Sequence, residues 1–176
     1  MESVINHTNP VRCIVCRQTP CHNELTVCPR CIARFQRAIT ERCNKCGKLP
    51  RECQCHDRWR IRSLMFYGSD VSKLMMFSYK YHSDERAVSF LALMAVRFCA
   101  LDMKTFDGIT YVPRSPRNIR RYGFDQSLLA AETISREYNI PVVHLLKSRG
   151  RFLQNLLSRS QRINAVRNKY SLINLP

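Results

Sequence analysis

Nine of the ten cysteines in this 176-residue chain fall between Cys13 and Cys55, and that crowding limits what the segment can become. A stretch so short cannot bury a sufficient core of its own, so cross-links must supply its stability. Disulfides and metal are the two candidates. Met1 to Arg12 has no apolar h-region, so no signal peptide is expected there. The expected compartment is therefore the reducing cytoplasm, where disulfides are rare and metal is the better explanation.

The spacing supports metal. Cys13-Ile14-Val15-Cys16 and Cys28-Pro29-Arg30-Cys31 are two CxxC knuckles. A knuckle aims two sulfurs at one point, and two knuckles complete a tetrahedron around zinc. Cys43, Cys46, Cys53 and Cys55 form a second candidate set, from a CxxC knuckle and a tighter CxC pair. His56 could replace one of these sulfurs, and the knuckles could also pair in an interleaved order. Cys21 and His22 are spare. Cys99 lies with Leu91, Ala92 and Ala95 on an apolar helical face and is expected in the core. One or two structural zinc ions are expected, with four protein ligands each and no open position for catalysis.

The chain carries 29 Lys and Arg against 13 Asp and Glu, a formal charge of +16. Two tetrathiolate zinc sites would lower it to about +12, since each adds a net −2. The basic residues cluster. Residues 111–176 hold twelve Lys or Arg and three Asp or Glu. Such clustering suits a polyanion or a phosphorylated substrate. No run of about 18 uncharged apolar residues occurs, so no membrane insertion is expected.

Beyond the cysteines the pattern alternates. Ile61 to Tyr67 reads as a strand, with Gly68-Ser69-Asp70 turning into a helix whose face carries Val71, Leu74, Met75 and Ser78. Ser83 suits the N-cap of the next helix, with an apolar stripe of Val88, Leu91, Ala92, Ala95 and Cys99. Ile109 to Val112 is a short strand ended by Pro113. A basic loop with Arg114, Arg117, Arg120 and Arg121 follows. Asp125 then caps a helix from Gln126 to Tyr138, with Leu128, Leu129 and Ile134 facing inward. Pro141 to Leu146 is another strand, followed by a second basic stretch from Lys147 to Lys169. Strands alternating with helices predict an α/β domain with a parallel sheet, whose ligands bind at the carboxyl ends of strands. The expected division is a double zinc-ribbon module over residues 1–58 and an α/β domain over residues 59–176.

Four features in this order resemble the competence protein F family. They are the cysteine pattern; Tyr67 with Leu74 to Tyr81; Val112-Pro113 with Tyr122-Gly123-Phe124-Asp125-Gln126; and Arg149 with Gln154, Leu157, Ser158 and Arg162. The family has asparagine where Asp125 stands and arginine where Tyr122 stands. The resemblance implies a type I phosphoribosyltransferase-like parallel sheet joined to the zinc module. It implies cytosolic handling of single-stranded DNA during uptake and transformation, beside a helicase-like competence ATPase. Basic residues and the aromatics Tyr122 and Phe124 suit single strands, because a base can stack on them. The expected ligand- or phosphate-binding residues are Arg117, Arg120, Arg121, Tyr122, Gly123, Phe124, Gln126, Arg149 and Arg162.

The alternative is phosphoribosyl transfer from phosphoribosyl pyrophosphate with Mg²⁺. In full-length relatives that chemistry uses an acidic pair and a Thr/Gly-rich loop, expected roughly ten residues beyond Tyr170. The expectation is a domain cut short before this loop and without turnover. A zinc-ribbon binding module unrelated to competence is a third reading, with only Phe35 and Trp59 in or beside the ribbon to support it.

Overall fold

A computed structural model describes residues 12–18, 26–38, 43, 48–53, 55, 64–65, 70–81, 84–99, 101–149, 158, 160–161 and 169–173. The chain divides into two compact units, Met1–Ser78 and Tyr79–Pro176, and the division falls inside a helix.

In the first unit, helix α1 spans Pro29–Ala38. Pro29 opens it, where a missing N–H costs nothing, and the Cys28 carbonyl accepts the first helical bond from Ile32 at 3.0 Å. Phe35, Val27, Ile14 and Val15 are buried around the first cysteine set. Helix α2, Asp70–Tyr81, buries Val71, Ser72, Met75 and Ser78. Leu74, expected on that face, is 41% exposed. The buried stripe keeps Val71, Met75 and Ser78 but takes Ser72 in place of Leu74, and Ser78 faces inward as expected, donating to the Ile14 carbonyl at 2.7 Å. Of the expected strand from Ile61 to Tyr67, only Leu64 and Met65 lie among the described residues, and neither is in a strand. The Gly68-Ser69 turn lies outside them.

In the second unit, helix α3 (Glu85–Phe98) packs against helix α5 (Gln126–Tyr138). The α3 cap is Asp84, not Ser83: its carboxylate accepts from the Arg86 N–H and also holds the Arg86 guanidinium at 3.1 Å. An Asp at this position outcompetes a Ser because it receives both the backbone N–H and a cation. Ala87, Val88, Ala92 and Val96 are the buried positions of α3, while Leu91, Ala95 and Cys99 are only half-buried. Cys99 is thus not a core residue; it is the C-cap of α3, where its N–H donates to the Ala95 carbonyl. On α5 the buried residues are Gln126, Ala131 and Thr133, with Leu128, Leu129 and Ile134 half-buried. Thr133 donates to the Leu129 carbonyl at 2.8 Å and so accepts from Ser89 of α3 at 3.2 Å, a polar stitch within the helix pair. Val96, Met103 and Ile140 form the small core beside it, flanked by Leu101, Ile109, Ile134 and Tyr138.

The β structure is sparse. Strand β1 (Leu146–Ser148) pairs antiparallel with strand β2 (Tyr170–Leu172), Lys147 opposite Ser171. One parallel bridge joins Ile109 to Val142. The described residues therefore form a helix-rich α/β unit with a two-stranded antiparallel sheet, and the expected extended parallel sheet is not among them. The antiparallel ladder arises because the second basic stretch returns on itself: Arg149 N–H reaches the Lys169 carbonyl at 2.7 Å, and Ile173 N–H reaches the Leu145 carbonyl at 2.9 Å. No helix among the described residues is long and apolar enough to cross a membrane.

Candidate metal centre and basic helix

The sulfurs of Cys13, Cys16, Cys28 and Cys31 all lie within 4.8 Å of one another. Local structure puts them there. The first knuckle turns tightly, with Arg17 in the left-handed region and its N–H bonded to the Cys13 carbonyl at 2.9 Å. Ile14 N–H ties that turn to the Thr26 carbonyl at 2.9 Å, beside the second knuckle. Cys28 precedes α1 and Cys31 lies in its first turn, so the positive helix end faces the sulfurs. The Cys28 N–H also donates to Cys13 Sγ at 3.3 Å, the kind of amide interaction that stabilises a thiolate.

A tetrahedron with 2.3 Å metal–sulfur bonds has an edge of about 3.8 Å. Cys16 Sγ and Cys28 Sγ are 4.0 Å apart, so this set fits a metal ion with little adjustment. Cys13, Cys28 and Cys31 are almost fully buried. Burial, with the neighbouring thiols Cys28 and Cys13, pushes the Cys31 thiol far up from its ordinary value. Three buried sulfurs and a half-buried fourth, Cys16, cannot carry thiolate charge without a cation, and a bound metal supplies it.

The second set contains Cys43, Cys53 and Cys55, also within 4.8 Å. Cys43 N–H closes its turn onto the Lys48 carbonyl at 2.9 Å, and a 3-10 turn over Pro50–Glu52 delivers Cys53. Here the sulfurs are closer than a tetrahedral edge: 3.2 Å for Cys43 to Cys55 and 2.6 Å for Cys53 to Cys55. This set could hold a metal after the CxC pair opens. Cys46, His56, Cys21 and His22 lie outside the described residues.

The basic segment expected as a loop contains a helix, α4, Pro116–Tyr122. Ser115 caps it and Pro116 opens it, a Ser-Pro signal legible in the sequence. Gly123 ends it in the left-handed region, with φ of 87°, and its N–H bonds the Ile119 carbonyl at 2.8 Å. Arg120 and Arg121 fall in the last turn, favourable for the helix dipole. Arg117, Arg120 and Arg121 are exposed, and Phe124 is half-buried. The Tyr122 ring carries two guanidiniums, Arg114 at 4.6 Å and Arg121 at 5.3 Å from its centroid. Arg114 Nη1 is buried without a hydrogen-bond partner among the described residues. Gln126 is buried, its amide donating to the Tyr79 carbonyl at 3.2 Å. Arg149 is exposed at the end of β1, and Arg162 lies outside the described residues.

Sequence reasoning missed a hydrogen-bonded pair. Tyr111 Oη and His144 Nδ1 are 2.9 Å apart with rings edge to face, each two residues beyond the parallel bridge. Matching offsets from two apolar segments were the available signal, but only the pairing register makes them meet. Burial raises the Tyr111 phenol, reinforced by Asp125 and Glu132. Burial also raises the Tyr79 phenol, against the pull of Arg114 and a hydrogen bond with Ser127.

Compared with known proteins, no family model matches the chain, and neither a curated protein nor a solved structure does.

Proposed function

We propose that this chain is a zinc-stabilised protein that binds single-stranded DNA, acting in the cytoplasm as a competence protein F-like factor beside a helicase-like ATPase. Zinc is the metal assigned to both thiolate sets, since a tetrahedral all-sulfur site suits it by softness and geometry. The observation that carries the nucleic-acid reading is α4. It exposes Arg117, Arg120 and Arg121 next to the Tyr122 ring, which Arg114 and Arg121 flank. Guanidiniums beside an aromatic ring offer both phosphate contacts and a stacking surface to an unpaired strand. The parallel bridge between Ile109 and Val142 fits one link of a larger phosphoribosyltransferase-type sheet. Anisotropy of a labelled oligodeoxynucleotide, measured across a salt series, tests the reading. Binding that weakens steeply with salt supports it, and no binding at low salt removes it.

A second reading, phosphoribosyl transfer, has one observation in its favour. The unpartnered Arg114 Nη1 lies just past the bridged segment, on the side where parallel sheets bind ligands. Pyrophosphate release from phosphoribosyl pyrophosphate with Mg²⁺ distinguishes the two readings. Attraction of a polyanion is not catalysis, which requires the ribose and the leaving group fixed in one geometry.

A further inference from the structure

The two cysteine sets differ in a way that metal binding alone does not require. Cys13, Cys28 and Cys31 are at most 3% exposed, as are Phe35 and Val27, and Cys16 is half-buried. Cys43 and Cys53 are half-buried and Cys55 is exposed. The spacing differs too. In the first set Cys16 and Cys28 stand at 4.0 Å, near the edge of a metal tetrahedron. In the second, Cys55 approaches Cys53 at 2.6 Å and Cys43 at 3.2 Å, with Cys55 itself in the left-handed region. The backbone there brings sulfurs toward one another more than toward a common centre.

We propose that Cys53 and Cys55 form an oxidation site, at which a hydroperoxide converts the two thiols to a disulfide and expels the metal of the second set. The exposed Cys55 thiolate attacks the terminal peroxide oxygen. The O–O bond breaks and the leaving oxygen departs with its electron pair as an alcohol, or as water from hydrogen peroxide, after taking a proton. Cys55 is then a sulfenic acid. Cys53 attacks that sulfur, the S–O bond breaks, and hydroxide leaves as water with a second proton. Two thiols have lost two electrons, and one peroxide has gained them. A metal deprived of two of its sulfurs dissociates. The first set stays reduced because three of its four sulfurs are buried, so the half-buried Cys16 has no accessible thiol beside it to complete a disulfide, and access is one of the factors that set cysteine oxidation rates. The step concerns the thiols themselves, so it can be read whether or not zinc fills the second set.

The test uses the full chain, purified with zinc, and treated with graded hydrogen peroxide. Zinc release is followed with a colorimetric chelator, and tryptic peptides are mapped by mass spectrometry after alkylation of free thiols. Trypsin isolates Cys53 and Cys55 together on the peptide Glu52–Arg58 and Cys43 on the peptide Cys43–Lys45. The expected result is Glu52–Arg58 lighter by two hydrogens and unalkylated, loss of about one zinc per chain, and reversal by a thiol reductant. Cys13, Cys16, Cys28 and Cys31 stay alkylatable once the protein is denatured. Cys55→Ser loses the fast phase of zinc release; mapping of the unmutated chain stands independently should that variant fail to fold. A cross-link of Cys43–Lys45 to Glu52–Arg58 would overturn the pairing. Disulfides appearing first among Cys13, Cys16, Cys28 and Cys31 would overturn the proposal, as would oxidation of Cys55 straight to sulfinic acid.

Discussion

Asp125 joins two segments with one carboxylate: Oδ2 accepts the Arg114 N–H at 2.7 Å while Oδ1 accepts the Ser127 N–H at 2.9 Å. The α5 cap thereby fixes the backbone at Arg114, where the chain leaves the Ile109–Val112 segment. Asp125→Ala is expected to destabilise the Tyr79–Pro176 unit by about 2 kcal/mol, roughly half from removal of the cap and half from an orphaned N–H. Asp125→Asn retains one acceptor oxygen for the cap, but its NH2 cannot accept the Arg114 N–H, so it should recover about half of the loss. Urea denaturation of the three proteins checks this ordering, and an Asn variant as weak as Ala would show that the charge itself matters.

Metal is expected to decide the fate of the first unit. Purified chain should contain about two zinc ions, and Cys28→Ser should lose about one together with the fold around α1, since structural zinc is worth on the order of 10 kcal/mol of folding free energy in small modules. Elemental analysis with hydrogen exchange over Cys28–Ala38 reads both effects.

On α4, the triple change of Arg117, Arg120 and Arg121 to Ala should flatten the salt dependence of single-strand binding. Each phosphate that the variant no longer neutralises reduces the log–log slope by ~0.7. Tyr122→Ala should instead weaken binding by about 1–3 kcal/mol with little change of slope, as expected for stacking. Identical slopes for the triple variant and the unmutated chain would place the nucleic-acid interface elsewhere.

Two glycines separate strain from crowding. Gly123 has φ of 87° and open space around a built Cβ, so Gly123→Ala should cost only the left-handed penalty, about 1 kcal/mol. Gly108→Ala would place its Cβ 2.9 Å from Val143 Cγ2, beside Ile109, whose N–H bonds the Pro141 carbonyl and whose carbonyl accepts the Val143 N–H. Overpacking of this kind costs about 1–3 kcal/mol. Thermal denaturation should rank Gly108→Ala as the more damaging.

Alkaline pH gives a further expectation. Burial raises the Tyr79 phenol in the folded chain above its ordinary value of 10.0. A raised folded value means the stabilisation is complete below pH 10 and is lost as pH climbs through the folded value. Stability of the second unit should therefore fall in the alkaline range, and Tyr79→Phe should delay that fall. Denaturation curves at stepped alkaline pH, beside the ultraviolet tyrosine titration, measure it.

The sequence alone determined the features that depend on near neighbours. CxxC spacing brought Cys13, Cys16, Cys28 and Cys31 to one point because each knuckle is a local turn. The Asp125 cap and the limits of α5 followed from a side chain reaching its own next residues. Helical periodicity placed α2 and α3, but not their buried faces: Leu74 is exposed and Cys99 half-buried, since a neighbour, not the period, decides which side is covered. Tertiary structure alone decided the rest. The antiparallel return of Arg149 onto Lys169, the meeting of Tyr111 with His144, and the burial of Gln126 under the Tyr79 carbonyl each join residues twenty or more positions apart. Pairings at that range depend on loop closure and on which surfaces remain to be covered, and no local pattern of residues encodes either.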